Sequence, residues 1–282
     1  MILVTGATGT VGREVMRRLP VGAQVRILVR DPARVSGAAP GVEVVPGDYA
    51  DPASLSAALC GVHSAFLVTS RVAGDQDARF VEAARAAGVR HVVKLSAAAV
   101  QDPLAEDLIT RWQRESEELL RASGIEWTLL RPRSFMSNAL SWAASVRSED
   151  TVRALYGASA NACVDPRDIA DVAVLALTEP GHFGQAYTLT GPQAVTAAGQ
   201  TAQLAALLGR PLRFEELGPG RARALWSGRH PAPVAEALLH SAQRQREGAK
   251  ARVENTVLEL TGTPARSFEV WARAHLAAFM PL

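Results

Sequence analysis

Aromatic residues are scarce in this 282-residue chain, at 5%, and only three of them are tyrosines: Tyr49, Tyr156 and Tyr187. Any chemistry that needs a tyrosine must draw on one of those positions. Cysteine is scarcer still. Cys60 and Cys163 lie far apart and form no metal-ligand spacing, which excludes a zinc module and a disulfide framework and fits a reduced, cytoplasmic protein. No apolar run approaches the roughly eighteen residues of a membrane span. The N-terminus Met1-Ile2-Leu3-Val4-Thr5 has no basic region and no cleavage site, so it does not read as a signal peptide. Charge of one sign is also missing. With 30 Lys+Arg against 28 Asp+Glu the net charge is +2, and the arginines are spread along the chain, which removes the electrostatic footprint of a nucleic-acid binder.

What is present is alternation. Short, nearly continuous apolar runs at Ile2–Thr5, Val25–Val29, Val42–Val45, Ala65–Thr69, Val92–Leu95 and Trp127–Arg131 have the pattern of strands covered on both faces. Helical patterns lie between them. Val11, Val15 and Leu19 repeat every four residues, Asp51-Pro52 is an N-cap with proline at the first helical position, and Phe80, Val81 and Ala84 mark a helix closed by Gly88. Strict alternation of strand and helix requires a parallel sheet with crossover helices. Beyond about residue 134 the pattern loosens. Asp168 is a candidate N-cap for a helix over Ile169–Leu177, Tyr187–Thr190 reads as a strand, and Ala197–Leu208 as a helix ending at Gly209. Residues 218–233, rich in Gly, Pro and Arg, read as a mobile segment, followed by helices over Pro233–Arg246 and Ser267–Phe279. The expected fold is α/β, a doubly wound Rossmann-type parallel sheet with a smaller C-terminal substrate lobe. Residues 1–134 form the dinucleotide-binding core and 135–282 a mixed lobe, with further core elements around 151–191.

The loop Gly6-Ala7-Thr8-Gly9-Thr10-Val11-Gly12 carries the chemistry. It follows an apolar strand and opens an amphipathic helix, the context in which glycines let the backbone turn tightly and approach a pyrophosphate held on the helix N-terminus. Gly6, Thr8, Gly9, Thr10, Val11 and Gly12 are therefore cofactor candidates. Arg30 ends the second strand, where a carboxylate would take the ribose 2′-hydroxyl of NAD and a cation suits the 2′-phosphate of NADP. Arg34, one turn onward, adds a second cation. Asp48 and Tyr49 end the third strand, where an adenine lies. Thr69 and Ser70 end the fourth and Ser96 the fifth, and strand C-terminal ends are where open α/β sheets bind ligands.

These stretches, with Val29-Arg30-Asp31-Pro32-Ala33-Arg34, Gly47-Asp48-Tyr49 and Ala87-Gly88-Val89-Arg90-His91-Val92-Val93, resemble the short-chain dehydrogenase/reductase superfamily. Ser123-Gly124-Ile125-Glu126-Trp127-Thr128-Leu129-Leu130-Arg131-Pro132, Val164-Asp165-Pro166-Arg167-Asp168-Ile169-Ala170, Tyr187-Thr188-Leu189-Thr190-Gly191-Pro192 and Gly262-Thr263-Pro264-Ala265-Arg266 resemble its atypical, NmrA-like branch. The resemblance covers nearly the whole chain and implies NADP(H). It leaves the activity open, because the branch holds quinone and carbonyl reductases beside redox-sensing regulators.

One departure from the superfamily pattern is chemical. Active members place a Tyr-x-x-x-Lys pair on the helix after the fifth strand, with lysine lowering the tyrosine pKa so that it can protonate a carbonyl. Here those places fall on Ile109 and Gln113, and no tyrosine lies on that helix. Ser96 matches the family serine and is the expected group to polarise a carbonyl oxygen, with Gln113, Trp112, water or the substrate's own phenol completing the proton path. Arg133 follows the sixth strand, where the resemblance puts the nicotinamide and the start of the substrate pocket. Phe135, Met136 and Trp142, with Trp226 and His230, are the expected lining for a flat ring system. The expectation is an NADPH-dependent reductase of a ketone or quinone, such as a polycyclic aromatic natural product, acting as a monomer or homodimer. The alternative is a non-catalytic NADP(H) sensor of the NmrA type. A sugar-nucleotide epimerase is disfavoured by the same missing tyrosine.

Overall fold

The computed structural model describes residues 1–35 and 41–281, without the Arg34 side chain. The first half runs β1 (Ile2–Thr5), α1 (Thr10–Arg18), β2 (Val25–Val29), β3 (Val42–Pro46), α2 (Pro52–Leu59), β4 (Ser64–Leu67), α3 (Gln76–Ala86), β5 (His91–Leu95), α4 (Leu108–Ala122) and β6 (Glu126–Pro132). It continues with α5 (Ala143–Glu149), β7 (Thr151–Leu155), α6 (Pro166–Thr178), β8 (Gln185–Leu189), α7 (Ala197–Leu208) and β9 (Arg213–Leu217). The last helices are α8 (Pro219–Ser227), α9 (Ala232–Arg246), α10 (Thr256–Thr261) and α11 (Phe268–Ala274).

The chain forms two compact units that are not contiguous in sequence. Unit 1 comprises Met1–Ala97, Arg111–Pro132 and Pro166–Thr188; unit 2 comprises Ala98–Thr110, Arg133–Asp165 and Leu189–Leu282. Unit 1 is built on a sheet of strand order β3-β2-β1-β4-β5-β6-β8, in which β1 to β6 pair in parallel. Val4 of the first strand lies opposite Ile27 on one side and Phe66 on the other. The order reverses between β1 and β4, and at such a switch point the strand C-termini leave a crevice. One core cluster joins Leu3, Leu55, Leu59, Phe80, Val92 and Leu129, all at most 1% exposed. Burying one such side chain contributes about 1.5–3 kcal/mol. Helix α6 packs beside α1, where Arg18 Nε donates to Asp171 Oδ1 at 2.7 Å.

Unit 2 has a two-stranded parallel sheet of β7 and β9 and a separate core of Met136, Val146, Val152, Leu204, Phe268, Trp271 and Phe279. Two expectations need correction here. The segment at 218–233 is not a loop but mostly helix α8, with Gly218 at its N-cap and Pro219 inside its first turn. Gly and Pro mark helix starts as well as loops. Helix α6 begins at Pro166, so Asp168 sits in its first turn, buried at 1% exposure, rather than at the cap. Among the described residues no helix is long and apolar enough to cross a membrane, and no cluster of His, Cys, Asp and Glu could hold a metal ion.

Candidate active site

In unit 1 the glycine loop joins β1 to α1 at the switch point. Thr5 Oγ1 donates to Phe66 O at 3.0 Å and accepts from Val68 N at 2.8 Å, clamping the end of β1 to β4. Gly6 then turns with φ +63°, and a Cβ there would lie 3.0 Å from the Val68 side chain. Gly9 N donates back to Gly6 O at 2.8 Å. A Cβ on Gly12 would meet the same Gly6 oxygen at 2.2 Å, so only glycine lets the helix start this close to the loop. The first helical hydrogen bond runs from Arg13 N to Gly9 O, and Gly9, as N-cap, provides no side-chain acceptor. The N–H groups of Thr10, Val11 and Gly12 therefore precede the helical ladder, with no acidic residue in the first turn. That is a fit for a pyrophosphate. Val11 contributes only its backbone, since its side chain is buried at 3%. Thr8 is half-buried and Thr10 exposed.

The other cofactor candidates divide. Arg30 is exposed at the end of β2 and has no side-chain partner among the described residues. The Arg34 side chain lies outside the described residues. Asp48 Oδ1 accepts from Ala50 N at 2.8 Å, an Asx turn. Tyr49 is structural: its ring meets Phe80 edge-on at 6.2 Å, its hydroxyl donates to Val68 O at 2.8 Å, and burial raises its pKa. Thr69 Oγ1 is held 3.1 Å from both carboxylate oxygens of Asp77, while Ser70 is exposed.

Asp77 anchors a network that the sequence reading missed. It is 4% exposed and accepts from Lys94 Nζ at 2.7 Å and Trp112 Nε1 at 3.2 Å as well as from Thr69. The signal was Lys94 itself, a cation inside an otherwise apolar strand, which needs a buried partner. A second buried carboxylate corrects the expectation for Ser96. Ser96 is 6% exposed and its hydroxyl donates to Glu117 Oε1 at 2.6 Å; Glu117 is also held by Arg131 Nε at 2.9 Å and Nη2 at 2.5 Å. A hydroxyl has one proton to give. With that proton directed to Glu117, Ser96 is not set to polarise a carbonyl. Gln113, four residues before Glu117 on α4, is 8% exposed and its Oε1 has no donor among the described residues.

In unit 2 a cavity of ≈ 690 Å³ brings together all five expected lining residues, Phe135, Met136, Trp142, Trp226 and His230. Such a volume suits a drug-sized ligand. The segment after β6 is placed by a bridge between Phe135 and Val164, with Met136 N donating to Val164 O at 2.9 Å. Asn161 lines the same cavity at 6% exposure. Its Nδ2 donates to Ser134 Oγ at 3.1 Å and to Gln245 Oε1 at 3.0 Å, and Gln245 Nε2 donates to Ser159 O at 3.1 Å. That ladder orients the amide and leaves Asn161 Oδ1 as an acceptor without a donor. Arg133 is not in the lining. Its Nε lacks an acceptor and burial lowers its pKa, opposed by Glu254 and Asp102. Nearby, burial pushes the Lys250 amine down to about 8 and the Cys163 thiol up to about 11.

Residues 6–180 match the family model described as NAD(P)H-binding. Over 281 residues, 100% of both chains, the protein is 59% identical to a (4-alkanoyl-5-oxo-2,5-dihydrofuran-3-yl)methyl phosphate reductase of Streptomyces griseus. It is 39% identical to an NAD(P)H azoreductase of Xenophilus azovorans, covering 99% of each chain. The crystal structure of an NADPH-dependent quinone oxidoreductase from Escherichia coli, complexed with NADPH, superimposes with a TM-score of 0.85 at 31% identity, covering 98% of this chain and 100% of that one.

Proposed function

The chain belongs to the NAD(P)H-binding family and is an NADPH-dependent oxidoreductase of the NmrA-like, atypical short-chain reductase fold, and from that premise we propose that it reduces a phosphorylated butenolide at the ring carbon–carbon double bond. The observation that carries this reading is the 59% identity, end to end, to a reductase of such a compound. The sensor alternative is overturned by the same relatives, which are reductases along the length of the chain.

In this reading the N–H groups of Thr10, Val11 and Gly12 hold the pyrophosphate and Arg30 takes the 2′-phosphate. Gln113 Oε1 accepts from a hydroxyl or amide N–H of the dinucleotide, which has both. The bound cofactor supplies a hydride. The butenolide explains what α4 lacks. One carbon of its double bond bears the phosphomethyl arm; the other lies between the lactone carbonyl and the alkanoyl carbonyl. Hydride arriving at the first leaves the charge on the second, delocalised over two carbonyls as a 1,3-dicarbonyl enolate. An anion stabilised in this way can be protonated by water and needs no tyrosine with a lowered pKa. This accounts for a helix with neither Tyr nor Lys and for a Ser96 whose proton belongs to Glu117. A polycyclic ketone or quinone, the substrate expected above, shares the electron-poor conjugated ring, but neither carries the phosphate of the relative's substrate.

The test is incubation with the butenolide phosphate and NADPH deuterated at the transferable position. The expected product gains deuterium on the carbon bearing the phosphomethyl arm. Turnover of quinones with the butenolide phosphate left untouched would overturn the assignment.

A further inference from the structure

The cavity of unit 2 has a charge pattern that its shape does not require. Among the described residues no carboxylate lines it, whereas Arg153, Arg229 and His230 all do. Arg153 is neutralised, with Nε 2.7 Å from Glu215 Oε2 and Nη2 on Glu149. Arg229 and His230 are different. Both are exposed, and neither side chain has a hydrogen-bond or ion-pair partner among the described residues. Arg221, Arg223, Arg244 and Arg273 of the same unit each pair with a glutamate or aspartate. The turn that carries the two free groups is fixed, since Arg229 N and His230 N both donate to Trp226 O, at 3.0 and 2.8 Å. Beside them the wall is apolar, with Leu225, Trp226 and Leu238.

We infer that Arg229 and His230 form a subsite for the phosphate monoester of an amphiphilic substrate, whose acyl chain lies on the wall of Leu225 and Leu238. The identity of the ester rests on the proposed function; the anion preference rests on the lining alone. A guanidinium offers a phosphate two parallel N–H donors, and an imidazole adds a third. Apolar walls lower the local dielectric and strengthen that attraction, and without a carboxylate nothing in the lining repels the dianion. This gives His230 a recognition role.

The subsite is tested without turnover by titrating the NADP-loaded protein calorimetrically with decyl phosphate and with decanol. Wild type is expected to bind the phosphate at least about tenfold more tightly than the alcohol, and Arg229→Ala to remove about tenfold of that affinity, as loss of a charge-assisted hydrogen bond should. Arg229→Lys, which keeps the charge and loses the fork, should fall between them, and His230→Gln should cost less than Arg229→Ala. NADPH affinity and thermal midpoint should not change in any variant. Equal decyl phosphate binding by wild type and Arg229→Ala overturns the subsite. Weakened NADPH binding in Arg229→Ala does so too, by assigning the arginine to the cofactor's own phosphate. If decyl phosphate depends on Arg229 while the butenolide phosphate is not reduced, the subsite stands and the reaction falls. Reduction of the butenolide phosphate with an unchanged KM in Arg229→Ala gives the reverse.

Discussion

The two units work with different parts of the polypeptide. Unit 1 presents backbone N–H groups at its glycine loop. Three glycines shape its loop, the N–H groups of Thr10, Val11 and Gly12 precede the helical ladder, and its buried charges are paired: Asp77 with Lys94, Glu117 with Arg131. Unit 2 holds a cavity lined with side chains, and leaves polar groups open in and near it among the described residues, Asn161 Oδ1 and Arg133 Nε among them. A site made of backbone is complete before the ligand arrives. A site made of open side chains is completed by the ligand, and can change partner by exchanging a few residues.

The sharpest test of that contrast is stability. Asp77→Ala strands the Lys94 ammonium, 0% exposed, without its carboxylate. The expected cost is about 3–5 kcal/mol in denaturant unfolding, the usual penalty for breaking a buried ion pair from one side. Asn161→Ala should cost less, because it breaks two neutral hydrogen bonds and strands no charge. Similar losses for the two would break the comparison.

Arg30→Ala comes next. It should weaken NADPH binding by about ten- to a hundredfold, corresponding to about 1.5–3 kcal/mol for a charge-assisted contact, and leave NADH unchanged. Calorimetry with both cofactors checks this; parallel losses would remove Arg30 from the 2′-phosphate.

Titration separates the units by pH window, with the same sign in each. His91 is buried against the Phe183 ring at 4.7 Å; desolvation, then the neighbouring His182, pushes its imidazole down to about 4 from an ordinary 6.5. Between those values the unfolded chain binds a proton that the folded chain refuses, so stability should fall as the pH drops from about 6.5 to about 4. Urea midpoints across that range should show a shallower acid limb for His91→Leu. For Lys250, lowered to about 8 by burial from an ordinary 10.5, the unfolded state holds the extra proton between those values. Its contribution therefore rises as the pH climbs through that window, and Lys250→Met should abolish that gain. The smallest effect is expected for Ser96→Ala. With its proton already on Glu117, its loss should leave the rate within about threefold, against the 10²–10⁴ of a true general acid. A larger loss in steady-state turnover would return Ser96 to the chemistry.

The legible parts of the fold were those whose signals are local. β1, β2 and α7 fall at their expected bounds because apolar runs and helix ends are written in neighbouring residues. The glycine loop was legible for the same reason, each glycine answering to a contact within the loop or with the adjoining strand. Strands β7 and β9 were not. Thr-Val-Arg-Ala-Leu and Arg-Phe-Glu-Glu-Leu mix charge with apolar residues, and each pairs with a strand about sixty residues away, as Thr151 does with Arg213. Gly218-Pro219 was ambiguous between loop and cap, and only packing decides it. In the candidate site, the Ser96 position was visible but its use was not, because Glu117 lies 21 residues further on. The free charge of Arg229 was invisible too, since it becomes apparent only beside the paired arginines of the same unit.

The chain passes between the units five times, after residues 97, 110, 132, 165 and 188. Helix α6, which flanks α1 and supplies Asp171 to Arg18, belongs to the last return into unit 1. During synthesis the dinucleotide loop is therefore made first and braced late, and a nascent chain that stops before Pro166 has the loop without the helix that steadies it. A single crossover between two genes cannot trade one unit for the other either, because any cut divides at least one of them. The two units are thus translated, and inherited, as one interleaved object.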